Sequence, residues 1–437
     1  MTGVCVTGVP VTGDRLIGWR AFQLGLFLLP SSALLAGLCL LITCISGSRH
    51  RVAAIWRDPW TRPLLVAAAL MIVGCFGAED AALAWAGLAN WLPLFWAFWA
   101  FRCFLDRPER RQRAATLLLA GTVPVLVTGF GQMHWGWSGP WQLLGGGIIW
   151  FMEAGGKPDG RLSGLFDYAN VAGAWLGVVW PFALAAVLRS ERPRRDRVLA
   201  LLFSAATVAA VLMTRSRNAM AALVLALPVV IGPGRWIWLL PVLLVLALPL
   251  LLAVLPGVPA ALQQWCQARL PEVVQQRLLE RQTTNSLTRL AQWSFALDLI
   301  AARPWLGWGA SAFSVLYSLH AQRNWHGHSH NLPLELAVNH GLPAAVLVVG
   351  TVLVLLIVSL RRGLLQRHPV DRAWWAASLV LVGMHTTDLP FFDSRLNILG
   401  WVLLAGLSAA VEQAAFNPPA QGLGRGVPSA SPGPGDL

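Results

Sequence analysis

From Leu16 to Val411 the chain repeats one pattern: a long run of Leu, Ala, Val and Trp, then a short polar loop that often carries several arginines. Long apolar runs are costly in water and clustered charges are costly in hydrocarbon, so the alternation points to helices that cross a bilayer. Apolar residues make up 56% of the chain and charged residues only 12%, too few to cover a soluble surface. Reading the runs places spans near 16–30, 31–46, 63–77, 84–104, 114–130, 171–188, 198–213, 218–231, 236–255, 342–360, 373–387 and 395–411. The expected fold is an all-α polytopic transmembrane bundle of about twelve spans. Pro30 divides the first pair, which leaves eleven as the alternative count if that pair is one span.

A formal charge of +13 would suit nucleic acid, but the arginines sit between spans. The loops 47–62, 102–113, 189–197 and 361–372 carry four or five arginines each, whereas 78–83 and 388–394 contain no Lys or Arg and 131–170 has only Lys157 and Arg161. The Arg-rich loops are therefore expected on the cytoplasmic side and the bilayer, not nucleic acid, is the expected partner. Both termini fall on that side, and Met1 to Arg15 lacks the features of a cleaved signal, so the first span is expected to be retained. The six cysteines show no paired spacing and support neither a disulfide framework nor a CxxC metal site.

This organisation divides the chain into an N-terminal bundle of about nine spans over 1–255, a large periplasmic loop over 256–341, C-terminal spans over 342–411 and a disordered cytoplasmic tail over 412–437. The loop is expected to be partly helical, because 271–290 is helix-compatible and 299–316 is partly apolar. Segments 131–170, 214–217, 256–341 and 388–394 open on one face, where their polar residues can converge.

Within them, Met213-Thr-Arg-Ser-Arg-Asn218 sets Arg215 and Arg217 at a span boundary. The plain reading is snorkelling to the interface; the sharper one is a phosphate site, since guanidinium groups bind phosphate oxygens in pairs. Arg289 lies in a helix-compatible stretch, and by itself reads as a solvated loop arginine, like Arg269, Arg277, Arg281, Arg303 and Arg323. In His326-Gly-His-Ser-His-Asn331, the histidines His326, His328 and His330 admit a zinc site, a general acid or base, or a structural polar loop. Zinc is the weakest, because alternate spacing gathers three ligands on one face only in an extended segment and no cysteine stands nearby. An imidazole beside arginines stays unprotonated and can take a proton from an acceptor hydroxyl.

Ser216-Arg217 at a span boundary, Arg289 before Trp293 and Gly307-Trp-Gly309, then His330-Asn331 and Gly341-Leu342 at the start of a span, occur in an order that resembles the O-antigen ligase family. The resemblance covers about 160–360 at the level of motifs. It implies a metal-independent, cofactor-free, inverting glycosyltransferase of the bacterial inner membrane with its site facing the periplasm. The donor would be a glycan on undecaprenyl pyrophosphate, and the acceptor lipid A core or a similar hydroxyl. Carried over, Arg217 and Arg289 bind the donor pyrophosphate and His330 activates the acceptor. Arg161 and Arg215 join the pyrophosphate set, while Asn331, His328, Glu335, His385 and Asp388 support the site; Asp388 serves equally as a cap for the last span.

Two neighbouring readings share these residues. An O-antigen polymerase would accept a second lipid-linked glycan, and a bicarbonate-transport-related protein is suggested by the look of His330-Asn-Leu-Pro-Leu-Glu335. A transporter should carry ionisable residues near span midpoints or paired broken helices. Here the polar residues collect at outer span ends, which favours a surface transfer site.

Overall fold

The computed structural model describes residues 13–49, 51–189, 191, 193–253, 257–270, 285–321 and 328–416. His326, Arg277, Arg281, Arg323 and the tail 417–437 lie outside the described residues. The chain is mostly helical. α1 (Gly13–Leu28) and α2 (Ala33–Ser48) form an antiparallel hairpin, whose turn is closed by Ser32 accepting from the Leu35 amide. There follow α3 (Arg62–Cys75), α4 (Ala81–Gly87), α5 (Leu92–Phe101) and α6 (Pro108–His134). A two-stranded antiparallel ribbon of three residues per strand, β1 (Trp141–Leu143) with β2 (Ile148–Trp150), comes next as a small addition to the helices. The ribbon is held by Trp150, whose indole N–H donates to the Ser31 carbonyl at 2.6 Å.

The remaining helices are α7 (Ala169–Leu188), α8 (Arg194–Thr214), α9 (Arg217–Ile231), α10 (Trp236–Leu252), α11 (Ala260–Gln267), α12 (Asn285–Ala302), α13 (Ala312–Ala321), α14 (Leu332–Arg361), α15 (Pro369–Met384) and α16 (Ser394–Phe416). Among the described residues six segments are long and apolar enough to cross a membrane: 81–104, α6, α7, α8, α14 and 394–413. A seventh arises if α9 and the start of α10 form one span, but Gly232-Pro233 bends them by 97°. This is fewer than the runs read from composition, because α1, α2, α3 and α15 are only 16, 16, 14 and 16 residues long. α14 breaks at Gly341 (φ 82°, ψ 161°), so the span expected at 342–360 follows the break and is preceded by a short helix that Asn331 caps and whose first turn takes Pro333.

Burial separates centre from rim. In α7 and α16, 72% and 83% of the apolar window is buried inside the protein, against 28% in α8. α7 packs on α8, α9 and α15, and its Phe182 meets Trp374 of α15 edge to face at 5.3 Å. Indole N–H groups in this core find partners on neighbouring helices: Trp175 donates to Thr122 at 3.0 Å and Trp180 to Ser204 at 2.9 Å.

The Arg-rich loops meet at one end of the bundle. Arg102, 1% exposed, bridges the carboxylates of Asp58 and Glu412, and the fully buried Arg111 bonds Asp371 at 3.2 Å and Gln413 at 2.8 Å. Arg189 and His368 share Glu191. At the opposite end, Pro304–Gly309 crosses α14 at its break. Gly341 there has φ 82°, and a Cβ on it would lie 2.2 Å from the Trp305 carbonyl oxygen. Trp308 N donates to Val338 O and Gly309 N to Asn339 O, both at 2.9 Å, so the two glycine motifs are one close backbone contact.

Candidate active site

The site forms at the end opposite the Arg102 and Arg111 ion pairs, where α7 and α9 begin, α8 and α15 end, and the His328–Asn331 loop enters α14. Asn331 is both cap and strap: its Oδ1 accepts from Leu334 N at 3.0 Å and its Nδ2 donates to Thr386 O at 3.1 Å. Leu332 N donates to His385 O at 2.8 Å, fastening the loop to the end of α15. Ser329, fully buried, is clamped on both sides. Its amide donates to Glu335 Oε2 at 2.9 Å, and its carbonyl accepts from Trp293 Nε1 at 2.9 Å. Between these clamps His330 is held at φ 55°, a left-handed conformation that a non-glycine residue adopts only when its surroundings impose it.

That conformation brings His330 Nδ1 to 3.1 Å from Asp388 Oδ1. Burial pushes the Asp388 carboxyl up, but the hydrogen bond and charge of His330, with His328 and the Leu389 amide, hold it below the ordinary value of 3.8. An ionised carboxylate only accepts, so Nδ1 carries a proton, and in the neutral imidazole the lone pair is then on Nε2. His328 stacks on Phe392 with centroids 5.4 Å apart, and its Nδ1 accepts from the His330 amide at 3.3 Å. Burial, then the charges of His330 and Arg289, push His328 down to about 4 against the pull of Asp388, so it is neutral near pH 7.

His328, His330 and Asp388 line a cavity with Tyr168, Asn170, Ser216 and Asn218. Arg217, flanked by Ser216 and Asn218, stands exposed at the first position of α9, and Arg215 is exposed at φ 50° in the turn before it. Two cations at a helix N-terminus oppose its dipole, an arrangement that an anion relieves. Arg215, Arg217 and the half-buried Arg289 have no hydrogen-bonding or carboxylate partner among the described residues.

Residues 199–349 match the family model described as O-antigen ligase. Over that stretch, about a third of the chain, the protein is similar to the O-antigen ligase family. No curated relative matches the chain. The matched stretch holds Arg215, Arg217, Arg289, His328, His330, Asn331 and Glu335, whereas Arg161, His385 and Asp388 lie outside it.

Arg161 is committed to the scaffold. Its Nε donates to Thr214 O at 2.8 Å and its Nη2 to Asn170 at 2.5 Å, which ties the 153–164 loop to the Arg215 turn. His385 turns away from His330: its Nδ1 bonds Leu381 O at 2.7 Å. Asp388 pairs with His330, and the cap of α16 is instead Asp393, which accepts from the Arg395 and Leu396 amides. Phe392 carries no motif that would mark it as a cavity wall; Tyr168 and Asn170 stand in the family-like stretch Arg161–Asn170, and Trp293 and Ser329 stand inside the other motifs, yet their clamp is a contact across 36 positions.

The ligand atoms of His328, His330 and Asp388 lie within 4.8 Å of one another, a set that could hold a metal ion. Asp388, far away in sequence, supplies the third ligand that the histidine spacing alone lacked.

Proposed function

We propose that the protein transfers a glycan from undecaprenyl pyrophosphate to a hydroxyl of lipid A core or a similar acceptor, at the periplasmic face of the bacterial inner membrane. The observation that carries this reading is the His330–Asp388 pair at 3.1 Å beside the cavity flanked by Arg215 and Arg217. Asp388 fixes the tautomer, and His330 Nε2 takes the acceptor's proton as its oxygen bonds to the anomeric carbon. The bond from that carbon to the pyrophosphate oxygen breaks, and its electron pair leaves on the pyrophosphate. Arg217, Arg215 and Arg289 stabilise the charge that gathers there. Attack opposite the leaving group inverts the anomeric configuration. Arg161 positions Arg215 rather than touching the phosphate.

In this reading the ion-paired end is cytoplasmic, the bundle makes about twelve crossings with the short helices counted, and 256–341 is the large periplasmic loop. Domain limits at 255, 341 and 411 and a cytoplasmic tail complete it. A polymerase differs only in the acceptor. The metal-ligand geometry of His328, His330 and Asp388 favours one second reading, in which a cation activates the hydroxyl.

Purified protein in liposomes, given a lipid-linked glycan and lipid A core, tests both. Wild type should form the glycan–core product, and His330→Ala should lose activity by about 100- to 10,000-fold with insertion unchanged. Equal product from both proteins overturns the assignment. Activity that EDTA removes and a divalent ion restores would replace the metal-free mechanism with the metal-assisted one.

A further inference from the structure

A second cavity adjoins the site. It lies between α14, α15 and α16, with Val349, Val352, Leu381 and Leu404 among its walls. Leu353, at its edge, is 44% exposed, so the groove opens on the outside of the bundle. Along α15 and the turn after it the groove runs from Ser378 to Thr386, and along α16 from Leu396 to Leu404. Each stretch is about 12 Å at the helical rise. That is close to the depth of one leaflet, half of a hydrocarbon core of roughly 30 Å.

The groove is continuous with the catalytic loop. Its site end is formed by Leu332, His385 and Thr386, and the first and last of these follow directly from the straps that hold Asn331. The end of α15 acts as a partition. On its α7 and α9 side lies the cavity of His330 and Asp388, and on its α14 and α16 side lies the apolar groove. At the head of the groove His385 uses Nδ1–H on Leu381 O, while its Nε2 is buried with no partner among the described residues. A neutral imidazole in this state offers a lone pair to a donor.

We propose that this groove holds the hydrocarbon chain of the acceptor lipid, with an O–H or N–H beside the chain donating to His385 Nε2. The proposal rests on the transfer reading above. In an inverting displacement the leaving group and the incoming oxygen lie on opposite sides of the anomeric carbon. The pyrophosphate belongs with Arg215 and Arg217 on the α9 side, so the acceptor arrives from the other side, where the groove is. A bilayer-facing slot one leaflet deep suits an acceptor anchored by a chain, and a water-soluble acceptor has no use for it.

The test uses the full chain in phosphatidylcholine nanodiscs and a glucosyl diacylglycerol with a diazirine near the end of one chain. Irradiation without donor should label peptides of α14, α15 and α16, and excess unlabelled glucosyl lipid should compete. Val352→Trp and Leu404→Trp, on opposite walls, should each cut labelling by about tenfold. His385→Phe should cut it by about threefold. Leu201→Trp, on the exposed face of α8, serves as the control for folding and insertion. Label elsewhere, or label displaced equally well by phosphatidylcholine, overturns the proposal, as does displacement by polyprenyl diphosphate, which would give the groove to the donor. Because labelling needs no turnover, groove binding with no transfer would sink the proposed reaction alone, and transfer with no groove labelling would sink the groove alone.

Discussion

Arginines gather at both ends of this bundle, but Arg102 and Arg111 at one end are neutralised while, among the described residues, Arg215 and Arg217 at the other are not, although Arg395 at that second end pairs with Asp393 at 2.6 Å. Arg102 and Arg111 are buried and bonded to Asp58, Glu412 and Asp371, and they join α5 and α6 to α15 and α16. Arg215 and Arg217 stand exposed at a helix N-terminus with no acid beside them among the described residues. Burying a charge is tolerable only with a partner supplied, so the paired end holds the fold together. Cations left unpaired where a helix dipole already favours anions would suit an anionic ligand, which is the role proposed for the other end.

Substitution should separate the two roles. Arg102→Ala strands two carboxylates against buried surroundings and should destabilise the protein by about 3–5 kcal/mol. Thermal unfolding in detergent should show it as a lower midpoint, with transfer per folded molecule unchanged. Arg217→Ala should leave that midpoint in place and weaken donor binding by about 1.5–3 kcal/mol, read as a higher KM for the lipid-linked glycan. A change in stability instead would place Arg217 in the scaffold and erase the contrast between the ends.

Acid sharpens the comparison further. The folded protein holds His328 neutral down to about 4, below its ordinary 6.5, so protonation favours the unfolded chain. The contribution is complete above pH 6.5 and is lost as pH falls from there towards 4. Asp388, depressed from 3.8, gives up its contribution only at lower pH. Over pH 6.5 to 4 wild type should lose more thermal stability than His328→Asn, and parallel curves would show that His328 is not the group responsible. The smallest effect belongs to Trp293→Phe, which removes the donor to Ser329 O and should lower kcat a few-fold, about 1 kcal/mol, without changing the KM for donor.

Much of the site was legible because its chemistry is local. Arg215 and Arg217 lie in one turn, and His328, His330 and Asn331 in one loop, so short motifs find them. Arg289 keeps its place near His328, as its charge shows. His385 and Asp388 stand three positions apart in sequence, and at the end of a helix that spacing turns their side chains towards different neighbours. His385 faces Leu381 O and Asp388 faces His330.

The membrane setting and the segregation of arginines were determined by the sequence alone, since hydropathy and charge are properties of residues in order and the bilayer sorts them without reference to packing. Hydrophobic length also pointed to the helices, but not to where they end: an Asn331 cap begins α14 ahead of its apolar run, and Gly232-Pro233 turns α9 from α10 by 97°. Only the tertiary structure decided that Asp388 orients His330, that Trp293 and Glu335 clamp Ser329, and that an apolar groove lies behind them. Each of these joins segments distant along the chain, and a contact between distant segments follows from how helices pack rather than from the composition of either one.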